Sequence, residues 1–184
     1  MKARGLSQMI VCDPQSIDYL TGVHVAPFER LFALYLRADG NHVFFLNKLF
    51  TVPETPLEKV WFSDTDDSIG MLAQRIQAGE PLGIDKEWTA RFLLPLMERL
   101  PGTSFQLASD CVDSVRARKD EKEQELMRMN SRLNDEAMRR AAAYIREGMT
   151  ERQVADYLRA QHPPPGGEAQ SFPPIAPFGS NAAA

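Results

Sequence analysis

The chain has 184 residues, 43% apolar and 25% charged, with 21 Lys and Arg against 25 Asp and Glu for a net charge of −4. That length suits one ordinary domain, or one domain and part of another, and roughly 70% of the unfolded surface can be hidden. The acidic balance argues against nucleic acid as the main partner, and no apolar run reaches the roughly 18 residues of a membrane span.

Met1-Lys2-Ala3-Arg4-Gly5 is a charged lead without a following apolar segment, so a secretory signal is not expected. Met9 to Cys12 is an apolar run that stops at Asp13-Pro14, a strand and a turn. Asp13 to Gly22 reads as a short helical turn closed by the glycine. Leu31 to Leu36 is apolar throughout and predicts a strand covered on both faces. Asp39-Gly40-Asn41 then turns the chain into His42 to Leu46, giving a hairpin. Lys59 to Phe62 is a further strand. Ile69, Leu72, Ala73 and Ile76 have helical spacing over 66–77, with Asp66 as the expected cap. Leu82-Gly83-Ile84 is a strand, 89–100 a helix stopped by Pro101-Gly102, and Ser104 to Ala108 a last strand.

From about Arg116 charges become dense. The basic run Arg116 to Lys119 reads as a solvated helix start, and Asp120 with Glu123 forms a capping-box pattern. Leu126, Leu133, Ala137, Ala141, Tyr144 and Ile145 share one face of a long helix expected to end at Gly148. Thr150 with Gln153 is a second capping box, leading to Val154, Tyr157 and Leu158. Pro163-Pro164-Pro165-Gly166-Gly167 is a break, and Ser171 to Phe178 is a strand burdened by Pro173, Pro174 and Pro177. The fold class is therefore α/β: a mixed sheet flanked by helices over residues 1–115. Over 116–184 two helices and a strand open a second domain that cannot enclose a core alone.

Chemistry-bearing motifs are sparse. Cys12 and Cys111 fit neither zinc spacing nor a disulfide framework and read as reduced thiols of a cytoplasmic protein. His24, His42 and His162 lack a second ligand at helical spacing; His42 reads as a strand residue and His162 as a solvated loop residue. Asp64, Asp66 and Asp67 lack the glycine and terminal glutamate of a calcium loop. One segment stands apart: His24, Glu29 and Arg30 lie close together in a loop held by Gly22 and Pro27, and loops on rigid scaffolds often carry binding residues. The plain alternative is a Glu29–Arg30 pair that merely ends a strand.

Asp13-Pro14-Gln15-Ser16-Ile17-Asp18-Tyr19-Leu20-Thr21-Gly22, followed by Pro27-Phe28-Glu29-Arg30, resembles the N-terminal domain of the creatinase/prolidase family. Arg118 to Arg128 resembles the start of that family's pita-bread catalytic domain, and Glu147-Gly148-Met149-Thr150-Glu151 its helix junction. Ser171 to Ile175 and Phe178 to Ala183 resemble its first catalytic-domain strand. The resemblance spans almost the whole chain in the right order and is closest to Xaa-Pro dipeptidases and aminopeptidases. It departs from the family at Pro177, at the Pro163–Pro165 loop and in a short start.

The resemblance implies a hydrolase of the bond preceding proline. Two divalent metal ions (manganese, cobalt or zinc) would activate a water. The family's ligands, two Asp, one His and two Glu, all lie beyond the Asn181-Ala182-Ala183 segment, so this chain alone is expected neither to bind the metals nor to catalyse. It also implies a homodimer acting on proline-containing dipeptides or peptides, while charge and hydropathy predict no nucleic-acid or membrane partner. The loop from Gly22 to Arg30 would reach the neighbouring subunit's active site. His24, Glu29 and Arg30 thereby become candidates for substrate contact or gating, with Arg30 able to fork a dipeptide carboxylate. Phe172 resembles a position lining the substrate pocket. The runner-up is a non-catalytic creatinase-like protein-binding module.

Overall fold

The computed structural model describes residues 1–161 and 172–183. His162, the proline-glycine break and Ser171 lie outside the described residues. The chain divides into two compact units, Met1–Arg118 and Lys119–Ala184.

The first unit is built on one six-stranded sheet. Its strands are β1 (Gln8–Val11), β2 (Ala33–Arg37), β3 (Val43–Asn47), β4 (Glu58–Phe62), β5 (Leu82–Ile84) and β6 (Phe105–Leu107), in the spatial order β4-β3-β2-β1-β5-β6. β1, β2 and β3 are antiparallel neighbours; the β3–β4, β1–β5 and β5–β6 pairs are parallel. Successive side chains point to opposite faces, and both faces are packed. Ile10, Tyr35 and Phe45 share one core with Ile69, Leu72 and Leu96, while Met9, Val11, Leu34, Phe44 and Leu46 share the other with Ile17 and Val112. The first core is closed by α2 (Ser68–Ala73) and α3 (Ala90–Arg99), the second by α1 (Pro14–Thr21) and α4 (Asp110–Arg116). This is why the central strands are apolar without alternation. Burying a side chain such as Phe44 contributes about 2–3 kcal/mol.

Local chemistry sets the boundaries. Asp13 caps α1 by accepting the Gln15 and Ser16 N–H groups, Pro14 stands at the first helical position, and Gly22 closes the helix at φ 70°. Three details of the first unit differ from expectation. The cap of α2 is Asp67, whose carboxylate accepts the Gly70 N–H; Asp66 instead accepts the Ser63 N–H and hydroxyl, closing the preceding turn. Arg116 ends α4 rather than starting a helix, because the next N-cap is Asp120. His42 lies just before β3, where its Nδ1 accepts the Arg37 N–H at 3.1 Å and tightens the hairpin. The helix expected over 89–100 forms as α3 with Pro95 inside it, where the proline lacks the N–H that would bond the Arg91 carbonyl.

In the second unit, α5 (Glu121–Tyr144) and α6 (Glu151–Ala160) both begin in complete capping boxes, Asp120 with Glu123 and Thr150 with Gln153. α5 stops at Tyr144 with Ile145 extended, so Gly148, at φ 84°, belongs to the inter-helix turn and not to the helix end. Ala141, Val154 and Leu158 are buried together, and Tyr144 stacks on Tyr157 with centroids 3.8 Å apart. Among the described residues, 172–178 form no strand; a 3₁₀ turn follows at Gly179–Ala183. Pro173, Pro174 and Pro177 have no N–H for a ladder, and the Phe178 N–H goes to the Glu151 carboxylate instead.

Candidate functional site

The loop between α1 and β2 is fixed by its own alternation. Val23 and Val25 are buried, so His24 faces outward with its side chain 84% exposed and Nδ1 3.3 Å from the Asp18 carboxylate. The Arg30 N–H donates to the Pro27 carbonyl at 3.0 Å, closing a turn. Phe28 within it has φ 51°, a conformation costly for a residue with a side chain, and its ring is exposed. Leu31 and Phe32, immediately after, are buried and anchor the turn to the sheet.

Arg30 is extensively engaged. Its Nε and Nη2 donate side by side to the two oxygens of Asp64, each at 3.0 Å, and its Nη1 lies 3.0 Å from Glu29 Oε1. Asn47, at the end of β3 and 1% exposed, donates through Nδ2 to Asp64 Oδ1 at 2.7 Å while its own oxygen accepts the Leu49 N–H. The Arg30 guanidinium, helped by Asn47, holds the Asp64 carboxyl below the usual carboxylate range, and Asp64 in turn raises Arg30. Arg91 Nη1 reaches the Glu29 carbonyl at 3.4 Å. The loop thus brings Glu29 and Arg30 together, with His24 facing outward beside Asp18. Phe172 belongs to the second unit, where it is exposed.

Sequence reasoning missed Asp64 and Asn47. Asp64 stands 34 positions from Arg30, beyond the reach of any local motif, and in the sequence it is one of an acidic trio. The trio is not a cation site: Asp64 serves Arg30, Asp66 serves Ser63, and Asp67 caps α2 and pairs with Arg99. Among the described residues no group of three or more His, Cys, Asp or Glu side chains is placed to hold a metal ion. At the C-terminal ends of β1 and β5, Asp13, Ser16, Asp85, Lys86, Ser109 and Asp113 line a cavity of about 10 Å³, the size of one water. Two of its polar contacts are filled within the chain: Ser16 accepts from Arg116, outside the lining, at 2.9 Å, and Lys86 donates to Asp113 at 2.6 Å.

Residues 1–118 match the creatinase/prolidase N-terminal domain model. The chain belongs to the creatinase/prolidase family. Its second unit continues the match, residues 125–184 fitting metallopeptidase family M24, whose domain has the pita-bread fold. Among the curated relatives of this creatinase/prolidase chain is an uncharacterized peptidase of Staphylococcus aureus, 29% identical over 178 residues, covering 94% of this chain and 50% of the relative. The chain thus spans about half the length of the curated relatives it matches. Similar solved structures include a recombinant prolidase from Thermococcus sibiricus, with TM-score 0.82 and 24% identity over 95% of this chain and 50% of that one. Dipeptidase PepE from Mycobacterium ulcerans follows, with TM-score 0.76 and 26% identity over 87% of this chain and 45% of that one. The mixed sheet and its helices match the creatinase N-terminal-like fold of prolidases.

Proposed function

We propose that this chain is the N-terminal part of a metal-dependent Xaa-Pro dipeptidase or aminopeptidase that hydrolyses the peptide bond preceding proline. The observation that carries this reading is the order of the two family matches, a creatinase/prolidase N-terminal domain followed directly by the opening of an M24 metallopeptidase. The named prolidase and dipeptidase among similar structures support it. The reading divides the chain into an N-terminal domain, 1–115, and the opening of the catalytic domain, 116–184.

The described residues do not offer a donor set for the family's metal pair. The reading therefore assigns the pair to a part of the protein outside this chain, and the 184 residues alone are expected to be inactive. The first unit then serves homodimer assembly and the shaping of a neighbouring active site, with His24, Glu29 and Arg30 on the loop and Phe172 in the second unit in contact or gating roles.

The test is the intact mass of the native protein in its source cells, detected with an antibody to the first unit. A mass about twice 20.7 kDa is expected, because the chain covers half of its relatives. The purified native protein should then release proline from Xaa-Pro dipeptides, lose that activity to a chelator and sediment as a dimer. A native mass of 20.7 kDa with no hydrolysis would overturn the reading in favour of a non-catalytic binding module.

A further inference from the structure

The contacts of Arg30 bear on what that residue is for. Its side-on fork is filled by Asp64 of the same chain, and a second carboxylate, Glu29, lies at Nη1. One guanidinium between two acids is not an open anion receptor: an incoming carboxylate would have to displace Asp64 and approach Glu29. Asp64 is itself held from below. Asn47 donates to it from a buried position, and the Asn47 oxygen is locked by the Leu49 N–H. Asn47 also stands opposite Phe62 in the β3–β4 register, two residues before Asp64, so adjacent strand ends anchor the carboxylate.

At the other end of Arg30 is a turn that needs holding. Phe28, at φ 51°, is the one non-glycine with positive φ among the described residues, and its exposed ring contributes little burial to offset that conformation. The turn's own bond, Arg30 N–H to Pro27 carbonyl, sits on the residue that Asp64 grips.

We propose that Asn47, Asp64 and Arg30 form a tether that fixes the Pro27–Arg30 turn with Phe28 outward, making Arg30 a positioning residue and not the receptor for a carboxylate. The tether stands on contacts within the first unit and holds whether or not the whole protein is a peptidase.

The test is NMR on the 184-residue chain, with sodium acetate as the probe anion. In the unaltered chain the Arg30 Nε–H resonance is expected to exchange slowly with solvent and not to move as acetate is added. Asp64→Asn should speed exchange of the Arg30 Nε–H and backbone N–H by roughly fivefold or more and shift the Phe28 amide. Glu29→Gln should leave the Nε–H protected. A saturable acetate shift of Arg30 in the unaltered chain would overturn the proposal, as would unchanged exchange in Asp64→Asn. Should Asp64→Asn not fold, Arg30→Lys decides: it keeps the charge and loses the fork, so a Phe28 amide that stays in place would also overturn the tether.

Discussion

The Tyr35 hydroxyl donates to Gln8 Oε1 at 2.6 Å, and both side chains are essentially fully buried. Gln8 is the hub of the pair. The same oxygen accepts the Gln77 N–H at 2.9 Å, and its Nε2 donates to the Gln77 and Glu80 carbonyls. One glutamine on β1 thereby satisfies the backbone of the segment that leads from α2 into β5. Tyr35→Phe removes one donor and leaves Gln8 bonded, so a loss of about 1 kcal/mol is expected. Gln8→Leu strands a hydroxyl, an N–H and carbonyls together and should cost about 3 kcal/mol. The double variant should fall short of the sum by about 1 kcal/mol. Urea unfolding of the four proteins measures this; equal losses for the two single variants would remove Gln8 from the centre.

Asp85 is a buried carboxylate whose job is to terminate backbone. It accepts the N–H groups of Cys12, Asp13 (2.8 Å) and Glu87 (3.1 Å), joining the end of β1 to the end of β5. Burial pushes its pKa up, and these N–H donors only partly oppose that. With the folded value raised, the native state binds more protons than the unfolded chain just above the ordinary carboxylate range. Stability should therefore fall as pH rises from that range through the raised native value. Asp85→Ala should cost about 3 kcal/mol by orphaning the donors. Asp85→Asn should flatten this part of the pH profile. A steeper profile in Asp85→Asn, from unfolding midpoints across pH, would contradict the assignment.

Features decided within a few residues were legible in the sequence. The capping boxes at Asp120 and Thr150, the Gly22 helix end and the apolar strand runs each depend on neighbours in the chain, and each is present. Features decided by distant partners were not. α4 has one buried residue, Val112, in a seven-residue helix, too little pattern to show periodicity. The choice between Asp66 and Asp67 as cap turned on which carboxylate reached Gly70. The strand expected over 171–178 depended on a partner for its N–H groups, and three prolines remove three of the eight. At the candidate site, the proximity of Glu29 and Arg30 was plain, but the identity of Arg30's main partner was not, because Asp64 arrives from across the sheet.

Gly83 occupies a closely packed place in the first unit. A Cβ built there would lie 2.9 Å from Ala108 Cβ and 3.2 Å from both Met9 Cβ and Leu6 Cδ1. Strand and loop backbones carry two of these atoms, so the neighbours cannot simply rotate away. Gly83→Ala should destabilise the unit by about 1–3 kcal/mol through overpacking. Adding Ala108→Gly should restore part of the loss, because it removes the nearest contact. Thermal unfolding of the single and double variants checks both; a neutral Gly83→Ala would mean β5 has room that its contacts deny.

The Glu151 carboxylate accepts the Phe178 N–H at 2.7 Å and the Asn181 side-chain amide at 2.9 Å, from the first residue of α6. These donors, Phe178 first, hold its pKa below the ordinary value of 4.5. A depressed folded value means the clamp is fully present above that ordinary value and is lost as pH falls through the lower native one. The Phe178 amide resonance should therefore titrate with a midpoint below 4.5. Glu151→Ala should release the segment while leaving α6 intact, because Thr150 and Gln153 still cap the helix. Hydrogen exchange separates the two effects: faster exchange at Phe178 with unchanged protection along α6 is expected. Loss of protection along α6 as well would mean that Glu151 acts chiefly on the helix terminus through its charge.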